Sequence, residues 1–468
     1  MSAVLGIDLG LSSARAAVFD GRGRLLGSGR QAARPARHSA PDTLPESWLK
    51  MAIAAGRQAL AIAQGPRIDG IGIGAFGPCP VLLDERLRPV MAAAMFSFSS
   101  GSERHRQKLI KTHHIADHLL GPDNTIHQLM WWRQKFPQAF KGAALVTDVA
   151  GFLATSLTGR AVIDRITLND YTCPGLKLPV ALPEVLSADE MAGGLTSKIA
   201  AKLGLPAGTP VTAGSYDSHV DIAAAGVTRA GQAAILLGST IVMGTIVPAD
   251  FKSAVALRLG LRLTPHVGRG ELLGGWTSAA GSLIDWTNSL VGGENSSSIG
   301  YVREPGVLVL PYFSGERAPV WDSLARGAII GATLATTADD LRQATLDGIA
   351  LSTFDIGERL FEAGGRKTHM RASGGGFRNA AWAQATADAL GCRIEVIAHA
   401  GESIGPAALA FRALGRKFEP GIARIITSDK RRHERYRKLY RIYRGLYPAL
   451  RKSMHELGRL AEKEIEVV

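Results

Sequence analysis

The amino-terminal stretch Ala3-Val-Leu-Gly6-Ile-Asp8-Leu-Gly10-Leu-Ser-Ser-Ala-Arg15 decides the fold. Its apolar run ends at Asp8 and Gly10, a second apolar run covers residues 14–19, and a turn at 19–23 leads into a third. This pattern predicts a β-meander. The turn after Asp8 is rich in glycine and hydroxyl groups, so its backbone N–H groups suit phosphate oxygens, while the carboxylate suits a hydrated Mg²⁺ ion. A hairpin turn with a capping aspartate is the structural alternative.

The composition is that of a globular chain with several domains. The chain has 468 residues, of which 46% are hydrophobic and 20% charged, and its formal net charge is +13. At about 100–200 residues per domain, this length predicts two to four domains. No apolar run is long enough to span a membrane, and the three cysteines are unclustered, which excludes a disulfide scaffold. The first residues lack the features of a secretory signal, so we expect a cytoplasmic protein.

The rest of the chain predicts an α/β protein made of two similar halves. Helical spacing covers residues 48–63, a glycine-rich strand end follows at 71–77, and a buried strand lies at 211–213. The second half repeats the order of β-rich segments, helix and glycine turn, with helices at 338–363 and 380–390. A glycine-rich break at 226–231 marks the boundary. We therefore predict an N-terminal domain over 1–228, a C-terminal domain over 229–468, and a cleft between them.

Asp217 is the strongest candidate for a catalytic base. It follows a buried strand and precedes the alanine-rich helix of Ala213-Gly-Ser-Tyr-Asp217-Ser-His-Val-Asp221. A carboxylate in this position can accept a proton from a substrate hydroxyl as its oxygen attacks phosphorus. An N-cap role is the structural alternative, and both roles are compatible. His219 and Asp221 are rivals inside the helix, and we expect them to face solvent or a neighbouring loop.

Two further glycine turns follow apolar strands, at Gly238-Ser239-Thr240 and at Gly374-Gly-Gly-Phe-Arg-Asn379. Glycines without side chains let an adenosine lie flat on the backbone, and Asn379 can cap the next helix or contact a ligand. The turns match neither the P-loop nor the dinucleotide-binding pattern. Zinc-ligand spacing is also absent from the sequence. Gly401-Glu-Ser-Ile-Gly405 has a serine between two glycines, but we expect it to lack the preceding strand and the oxyanion partner of a nucleophile elbow, which argues against a hydrolase.

Taken in order, these stretches resemble the FGGY family of carbohydrate kinases, in particular its pentulose kinases, over nearly the whole chain. The resemblance rests on Gly6-Ile-Asp8-Leu-Gly10 with Arg15, Ile126-His-Gln-Leu-Met-Trp131, Gly204-Leu-Pro-Ala-Gly-Thr-Pro-Val before Asp217, Gly327-Ala-Ile-Ile-Gly331 before Asp340-Leu-Arg-Gln-Ala-Thr-Leu-Asp347, Gly374-Gly-Gly-Phe-Arg-Asn379, and Gly401-Glu-Ser-Ile-Gly405. It implies two actin-like, ribonuclease-H-like domains and ATP-dependent phosphorylation of a hydroxyl on a small sugar or polyol.

The resemblance also assigns roles to individual residues. It makes Asp217 the general base and Asp8 the carboxylate associated with Mg²⁺. The residues implied to bind ATP are Gly10, Ser12, Ser13, Arg15, Gly238, Ser239, Gly281, Gly375, Gly376, Asn379 and Gly405. The residues implied to bind the sugar are Phe76, Gly77, Tyr216 and Asp217.

The departures from the family pattern lie where sugar identity is read. Ala75-Phe76-Gly77-Pro78 stands in place of the family's Gln-Met-His-Gly, and Met95-Phe-Ser-Phe-Ser-Ser-Gly replaces a Trp-x-Asp-x-Arg segment. These replacements remove hydrogen-bond partners for sugar hydroxyls. We expect a ketopentose such as xylulose or ribulose as the substrate. A deoxyketose, another small polyol, and a catalytically degenerate nucleotide-binding regulator of the same fold remain alternatives.

Most of the excess positive charge lies in one carboxy-terminal segment. Residues 430–459 hold eleven lysines and arginines against two glutamates, and tyrosines recur there at helical spacing. The pattern favours a helix whose tyrosines pack on the domain and whose basic face is solvated. Binding of this face to nucleic acid or a membrane surface is the alternative. The resemblance implies a small-molecule sugar or polyol as the partner; we expect neither nucleic acid nor a membrane as a partner, and leave a homodimer open.

Overall fold

The structure is a computed structural model. It describes residues 2–10, 13–33, 44–93, 100–115, 119–121, 124–292, 306–365 and 369–465, with the backbone alone at 100–102 and 461–465. The strands are β1 Ser2–Leu9, β2 Ser13–Asp20, β3 Leu25–Ala32, β4 Arg67–Ala75, β5 Val81–Leu83, β6 Leu145–Thr147, β7 Val162–Asp164, β8 Glu184–Leu186, β9 Met191–Gly194, β10 Pro210–Thr212, β11 Ser215–Tyr216, β12 Ala233–Leu237, β13 Ile241–Val247, β14 Arg262–Pro265, β15 Glu271–Trp276, β16 Leu308–Leu310, β17 Ala328–Ile330, β18 His369–Ser373, β19 Arg393–Ile397 and β20 Ile422–Ile426.

The helices include several that carry or flank the glycine turns named above. They are α1 Pro45–Ile62, α2 Ser100–His113, α3 Thr125–Lys135, α4 Pro137–Gly142, α5 Val149–Thr158, α6 Arg165–Leu168, α7 Ser197–Leu203, α8 Asp217–Ala224, α9 Ser253–Arg258, α10 Gly281–Val291, α11 Ala338–Glu362, α12 Ala380–Leu390, α13 Ile404–Ala413 and α14 Lys430–Ile465. Short 3₁₀ turns lie at Asn169–Tyr171 and Gly375–Arg378.

The chain divides into two compact units. The first comprises Met1–Gly226, Pro265–Arg269 and Gly401–Gly421, and the second comprises Val227–Thr264, Gly270–Ala400 and Ile422–Val468. The change at 226/227 lies two residues from the predicted boundary at 228/229. The segments at 265–269 and 401–421, which we assigned to the C-terminal domain, belong to the first unit instead.

The first unit is built on a seven-stranded sheet in the order β3-β2-β1-β4-β10-β9, with β11 also paired to β4. Strands β1, β2 and β3 form the expected antiparallel meander, and β4 runs parallel to β1, β10 and β11. All residues of β1 after Ser2 are buried, because the strand lies in the interior of the sheet. Helix α13, although late in the chain, packs on β1 and β4.

The second unit repeats this arrangement with its own seven-stranded sheet, in the order β14-β15-β13-β12-β18-β19-β20. Strands β12 and β13 form an antiparallel hairpin, while β18 runs parallel to both β12 and β19. Helices α11 and α12 pack against each other beside this sheet. The two similar halves that the sequence predicts are therefore present as two similar sheets.

Helix α14 confirms the prediction for the basic segment. Tyr436 and Tyr443 are buried in an apolar cluster, and Tyr440 and Tyr447 pack against it. The cations at Arg437, Lys438 and Arg441 are exposed. No helix within the described residues is both long and apolar enough to cross a membrane.

Candidate active site

Three parallel strands bring the predicted catalytic carboxylates to one edge of the first sheet. Asp8 on β1 pairs with Gly74 on β4, and Ser215 on β11 pairs with the same glycine from the other side. Asp217 follows two residues later, as the first residue of α8. The carboxyl ends of parallel strands are where α/β sheets bind ligands. Asp8 and Asp217 therefore lie on either side of β4, at the carboxyl edge of the sheet, where a ligand-binding site is expected.

Asp8 is buried and partly paired. Its Oδ2 lies 3.2 Å from Nη2 of Arg15, its register partner on β2. Its Oδ1 is buried and has no hydrogen-bond partner among the residues that the structure describes. Burial raises the pKa of the Asp8 carboxyl, and the Arg15 guanidinium opposes the shift. One carboxylate oxygen is therefore left for a ligand.

This oxygen fits a hydrated magnesium ion. Mg²⁺ is usually bound through one or two carboxylates, several waters and substrate phosphates, so a full protein cage is not required. In the described part of the chain, no group of three histidine, cysteine or acidic side chains could hold a metal ion by itself. The orphaned Oδ1 of Asp8 is the donor that such an ion would use.

Asp217 opens helix α8 rather than capping it. Tyr216 occupies the N-cap position, and the Asp217 Oδ1 accepts a hydrogen bond from the Ser218 N–H at 2.6 Å. Its side chain is only partly buried. Exposure of His219 to solvent, one of the two surroundings that we expected, is wrong, because this ring is buried and its pKa is lowered to about 4 by burial and by His266 in the loop after β14. The buried His219 is therefore a neutral imidazole at pH 7.

Phe76, Gly77 and Tyr216, the predicted sugar-binding residues, have different surroundings. Phe76 is only 7% exposed and packs edge-on against Trp48, with 5.3 Å between ring centroids, so it belongs to the core. Gly77 lies against the Tyr216 ring, which a Cβ at this position would meet at 2.1 Å. The Tyr216 hydroxyl donates to Asp170 at 3.1 Å. The predicted variant segment at 95–101 lies largely outside the described residues.

Asp148 is a buried carboxyl that sequence reasoning missed. A Cβ on Gly77 would lie 2.9 Å from its Oδ1, so it sits directly beneath that glycine. The carboxylate accepts from the N–H groups of Cys79 and Val149 and from the Tyr171 hydroxyl, each at 2.8 Å. Burial nevertheless raises its pKa to about 7. Its position directly after the short strand β6 was the available signal.

Only part of the turn predicted to bind phosphate, residues 10–15, lies within the described residues. Gly10 donates its N–H to the Ser13 carbonyl at 3.0 Å, which closes the turn between β1 and β2. The Ser13 hydroxyl is buried and accepts from Arg30 Nε at 3.4 Å. Arg15 Nη1 donates to the Gly401 carbonyl at 3.2 Å. Ser12 lies outside the described residues.

Gly405 lies against the carboxyl group of Asp221, a contact that we did not predict from the sequence. A Cβ on Gly405 would lie 2.2 Å from Oδ1 of Asp221. Only glycine permits this approach. The Asp221 carboxyl has its pKa raised to about 8, first by burial and then by Asp8 and Asp217, against the opposing effect of Arg15 and the Gly405 N–H.

In the second unit, three of the residues predicted to bind ATP, Gly238, Ser239 and Gly281, lie in contact with one another. Gly281 begins α10 and donates its N–H to the Gly238 carbonyl at 3.1 Å. The Ser239 carbonyl accepts from Ala280 at 2.9 Å. A Cβ on Gly281 would lie 2.6 Å from the Gly238 carbonyl oxygen, so this position requires glycine. These two hydrogen bonds hold the turn between β12 and β13 against the start of α10.

The second glycine turn lies at the same edge of that sheet. Leu236 of β12 pairs in parallel with Ser373 of β18, so the turns that follow the two strands are neighbours. Gly375 begins the 3₁₀ turn, and Gly376 packs on Trp382. The Asn379 side chain caps α12 by accepting from the Trp382 N–H at 3.0 Å. Of its two predicted roles, the structure therefore displays the helix cap.

Comparison with known proteins agrees with this architecture. Profiles of the FGGY family of carbohydrate kinases match residues 3–226 with the N-terminal domain and residues 233–414 with the C-terminal domain. The chain is 25% identical to the xylulose kinase of Bacillus subtilis over 493 aligned positions, covering 96% of this chain and 97% of the relative.

Solved structures show the same two-domain actin-like fold. A ligand-bound xylulose kinase from Lactobacillus acidophilus superimposes with a TM-score of 0.84 at 18% identity, covering 98% of this chain and 100% of that one. A gluconate kinase from the same organism gives a TM-score of 0.83 at 17% identity, covering 97% and 99%. Their near-equal scores mean that the fold does not discriminate between sugars. Both domains of the profile and both sheets lead to one conclusion: the chain belongs to the FGGY family of carbohydrate kinases and is a sugar kinase.

Proposed function

We propose that the protein transfers the γ-phosphoryl group of ATP to a hydroxyl group of a ketopentose such as xylulose or ribulose. The observation that carries the proposal is the pair Asp8 and Asp217, on either side of β4 at the carboxyl edge of the first sheet. Relatives named xylulose kinase, such as that of Bacillus subtilis, support the choice of a ketopentose.

In the proposed reaction Asp217 is the general base. Its carboxylate accepts the proton of the attacking hydroxyl as the sugar oxygen forms a bond to the γ-phosphorus. The bond from that phosphorus to the β–γ bridging oxygen breaks, and ADP leaves. Asp217 is only partly buried, as a side chain that must reach a substrate hydroxyl should be. A positioned base of this kind contributes about 10²- to 10⁴-fold to a rate.

In the proposed reaction, Asp8 and Arg15 interact with the phosphate groups of ATP, Asp8 through Mg²⁺ and Arg15 through its positive charge. Arg15 is held between Asp8 and the Gly401 carbonyl, so its positive charge is fixed beside the carboxylate. Mg²⁺ bound at the free Oδ1 of Asp8 would neutralise charge on the phosphate oxygens. A guanidinium held in place by the protein stabilises developing negative charge without reorganising during the reaction.

The predicted domains receive different roles in this proposal. The part up to residue 228 holds the base and the sugar, and the part from 229 onward binds the nucleotide through the turns at 238–239 and 375–379. The support is that Gly238, Ser239 and Gly281 contact one another, and that the second turn follows a strand paired with β12. We place the adenosine of ATP beside Gly375 and Gly376.

An ADP-release assay with purified protein, ATP, Mg²⁺ and a panel of acceptors tests the proposal. The panel contains xylulose, ribulose, a deoxyketose, a four-carbon polyol, glycerol and gluconate. We expect the largest turnover with one of the ketopentoses. Preference for another acceptor would overturn the substrate assignment. ATP binding without stimulated turnover by any acceptor would instead indicate the degenerate regulatory alternative.

A further inference from the structure

Helix α13 starts without a side-chain cap of its own. Its N-cap residue, Ser403, has a left-handed backbone with φ of 55° and makes no capping hydrogen bond. The first N–H groups of a helix lack intrahelical partners, and they favour a nearby carboxyl oxygen. A carboxyl group from another element can therefore act as the cap.

Asp221 of α8 supplies this contact. Its Oδ1 lies closer to Gly405, in the first turn of α13, than any side chain there would permit, and the nearby Gly405 N–H acts to lower the pKa of the carboxyl. Asp221 stands four residues after Asp217, so both project from the same face of α8. One helix thus presents the proposed base and the cap of α13.

The turn at 401–405 is held at both ends. At its start, the Gly401 carbonyl accepts from Arg15, which is paired with Asp8. At its end, Gly405 lies against the Asp221 carboxyl. The two contacts tie the turn to the strand pair β1–β2 and to helix α8, the elements that carry Asp8 and Asp217.

We propose that Asp221 is a positioning residue for the phosphoryl donor, which caps α13 and thereby fixes the 401–405 turn in the geometry that binds ATP. The inference rests on the proposed function, in which Gly405 lines the nucleotide. Asp221 touches neither reacting atom, so it acts through the turn. The raised pKa of its carboxyl is consistent with this role, because a neutral acid still accepts the Gly405 hydrogen bond and adds no third negative charge near Asp8 and Asp217.

Two substitutions separate the hydrogen-bond acceptor from the charge. Asp221→Asn keeps an acceptor oxygen for the Gly405 N–H, whereas Asp221→Leu has similar size and no acceptor. Asp189→Leu is the matched control, because Asp189 is a carboxylate that pairs with Arg412 of the same helix at 3.3 Å, away from the turn. ATP dissociation constants are measured by calorimetry without sugar, and KM values for both substrates are measured by ADP release.

We expect Asp221→Leu to weaken ATP binding about tenfold, equivalent to ~1.4 kcal/mol, while the KM for the sugar changes less than about twofold. Asp221→Asn and Asp189→Leu should stay within about threefold of the wild-type affinity. The proposal is overturned if folded Asp221→Leu binds ATP like the wild type, if Asn is as damaging as Leu, or if both KM values rise together.

Folding of the variants is checked by circular dichroism and thermal melting. If Asp221→Leu does not fold, Asp221→Ala removes the same acceptor without adding bulk and takes its place. Failure of both to fold would assign Asp221 a general structural role and overturn the proposal. Absence of sugar-stimulated turnover in the wild type would contradict the proposed function alone, because ATP affinity is measured independently of the reaction.

Discussion

Glu316 is a buried carboxyl whose protonation affects the stability of the second unit. Its Oε1 accepts from the N–H groups of Ser278 and Arg317, both at 2.8 Å. Its Oε2 is buried and without a hydrogen-bond partner in the described ranges. Burial is the main cause that raises its pKa from 4.5 to about 8, with Asp355 adding to the shift and the two N–H groups and Arg317 opposing it.

The pKa of Glu316 predicts a pH-dependent effect of Glu316→Gln. Because the folded state holds this proton more tightly than the unfolded state, the contribution of Glu316 to the free energy of unfolding falls as pH rises from about 4.5 to about 8. Glutamine cannot ionise and keeps the acceptor oxygen. The variant should therefore match the wild type near pH 5 and exceed its stability near pH 8.5 in urea titrations. A difference that is constant with pH would contradict this.

At the residue scale, the sequence located carboxylates but not their partners. Asp8 and Asp217 could be predicted, because each follows an apolar strand and precedes a turn or helix. The contact of Asp221 with Gly405 could not, because the two residues are distant in sequence and meet only when α13 packs beside α8. Phe76 was assigned to the sugar site from motif position alone, and its burial against Trp48 depends on packing that no local pattern encodes.

At the scale of elements, helix α14 is fixed by one buried ion pair more than by its many surface charges. Arg435 lies 2.7 Å from Asp347 of α11, and the Asp347 side chain is fully buried. Tyr436 donates to the same carboxylate at 2.7 Å. Arg437, two residues away, is largely exposed and pairs with exposed Glu434 at 3.3 Å.

This difference predicts unequal effects of two similar substitutions. Arg435→Met leaves the Asp347 charge buried without its cation, so it should lower the free energy of unfolding by about 3–5 kcal/mol. Arg437→Met is the matched control and should change it by less than about 0.5 kcal/mol. Both values are measured by denaturant unfolding. Equal effects would mean that the surface charges stabilise α14 as much as the buried pair.

Helices with strong local signals were the predictable elements. The sequence predicted a helix at 380–390, where α12 lies, and one at 338–363, which differs from α11 by one residue at its end. The assignment of α13 to the first unit was not predictable, because the chain returns to that unit after leaving it, and no composition change marks the return.

At the scale of the whole molecule, family and reaction are better determined than the sugar. Both family profiles identify a sugar kinase, whereas solved structures of a xylulose kinase and a gluconate kinase superimpose almost equally well. The sugar site that we propose lies around Gly77 and Tyr216, and residues 75–78 differ there from the family's usual Gln-Met-His-Gly. The sequence could therefore predict the fold and the carboxylates, but only propose the substrate.

The rate of ADP release by Asp217→Asn, with the best acceptor of the panel, tests the central claim most directly. The account predicts a fall in kcat of about 10²- to 10⁴-fold with ATP affinity near that of the wild type, because the amide cannot accept the hydroxyl proton. Asp84→Asn, a change in a surface turn, is the control and should leave kcat unchanged. An Asp217→Asn enzyme that turns over at the wild-type rate would contradict the assignment of Asp217 as the base.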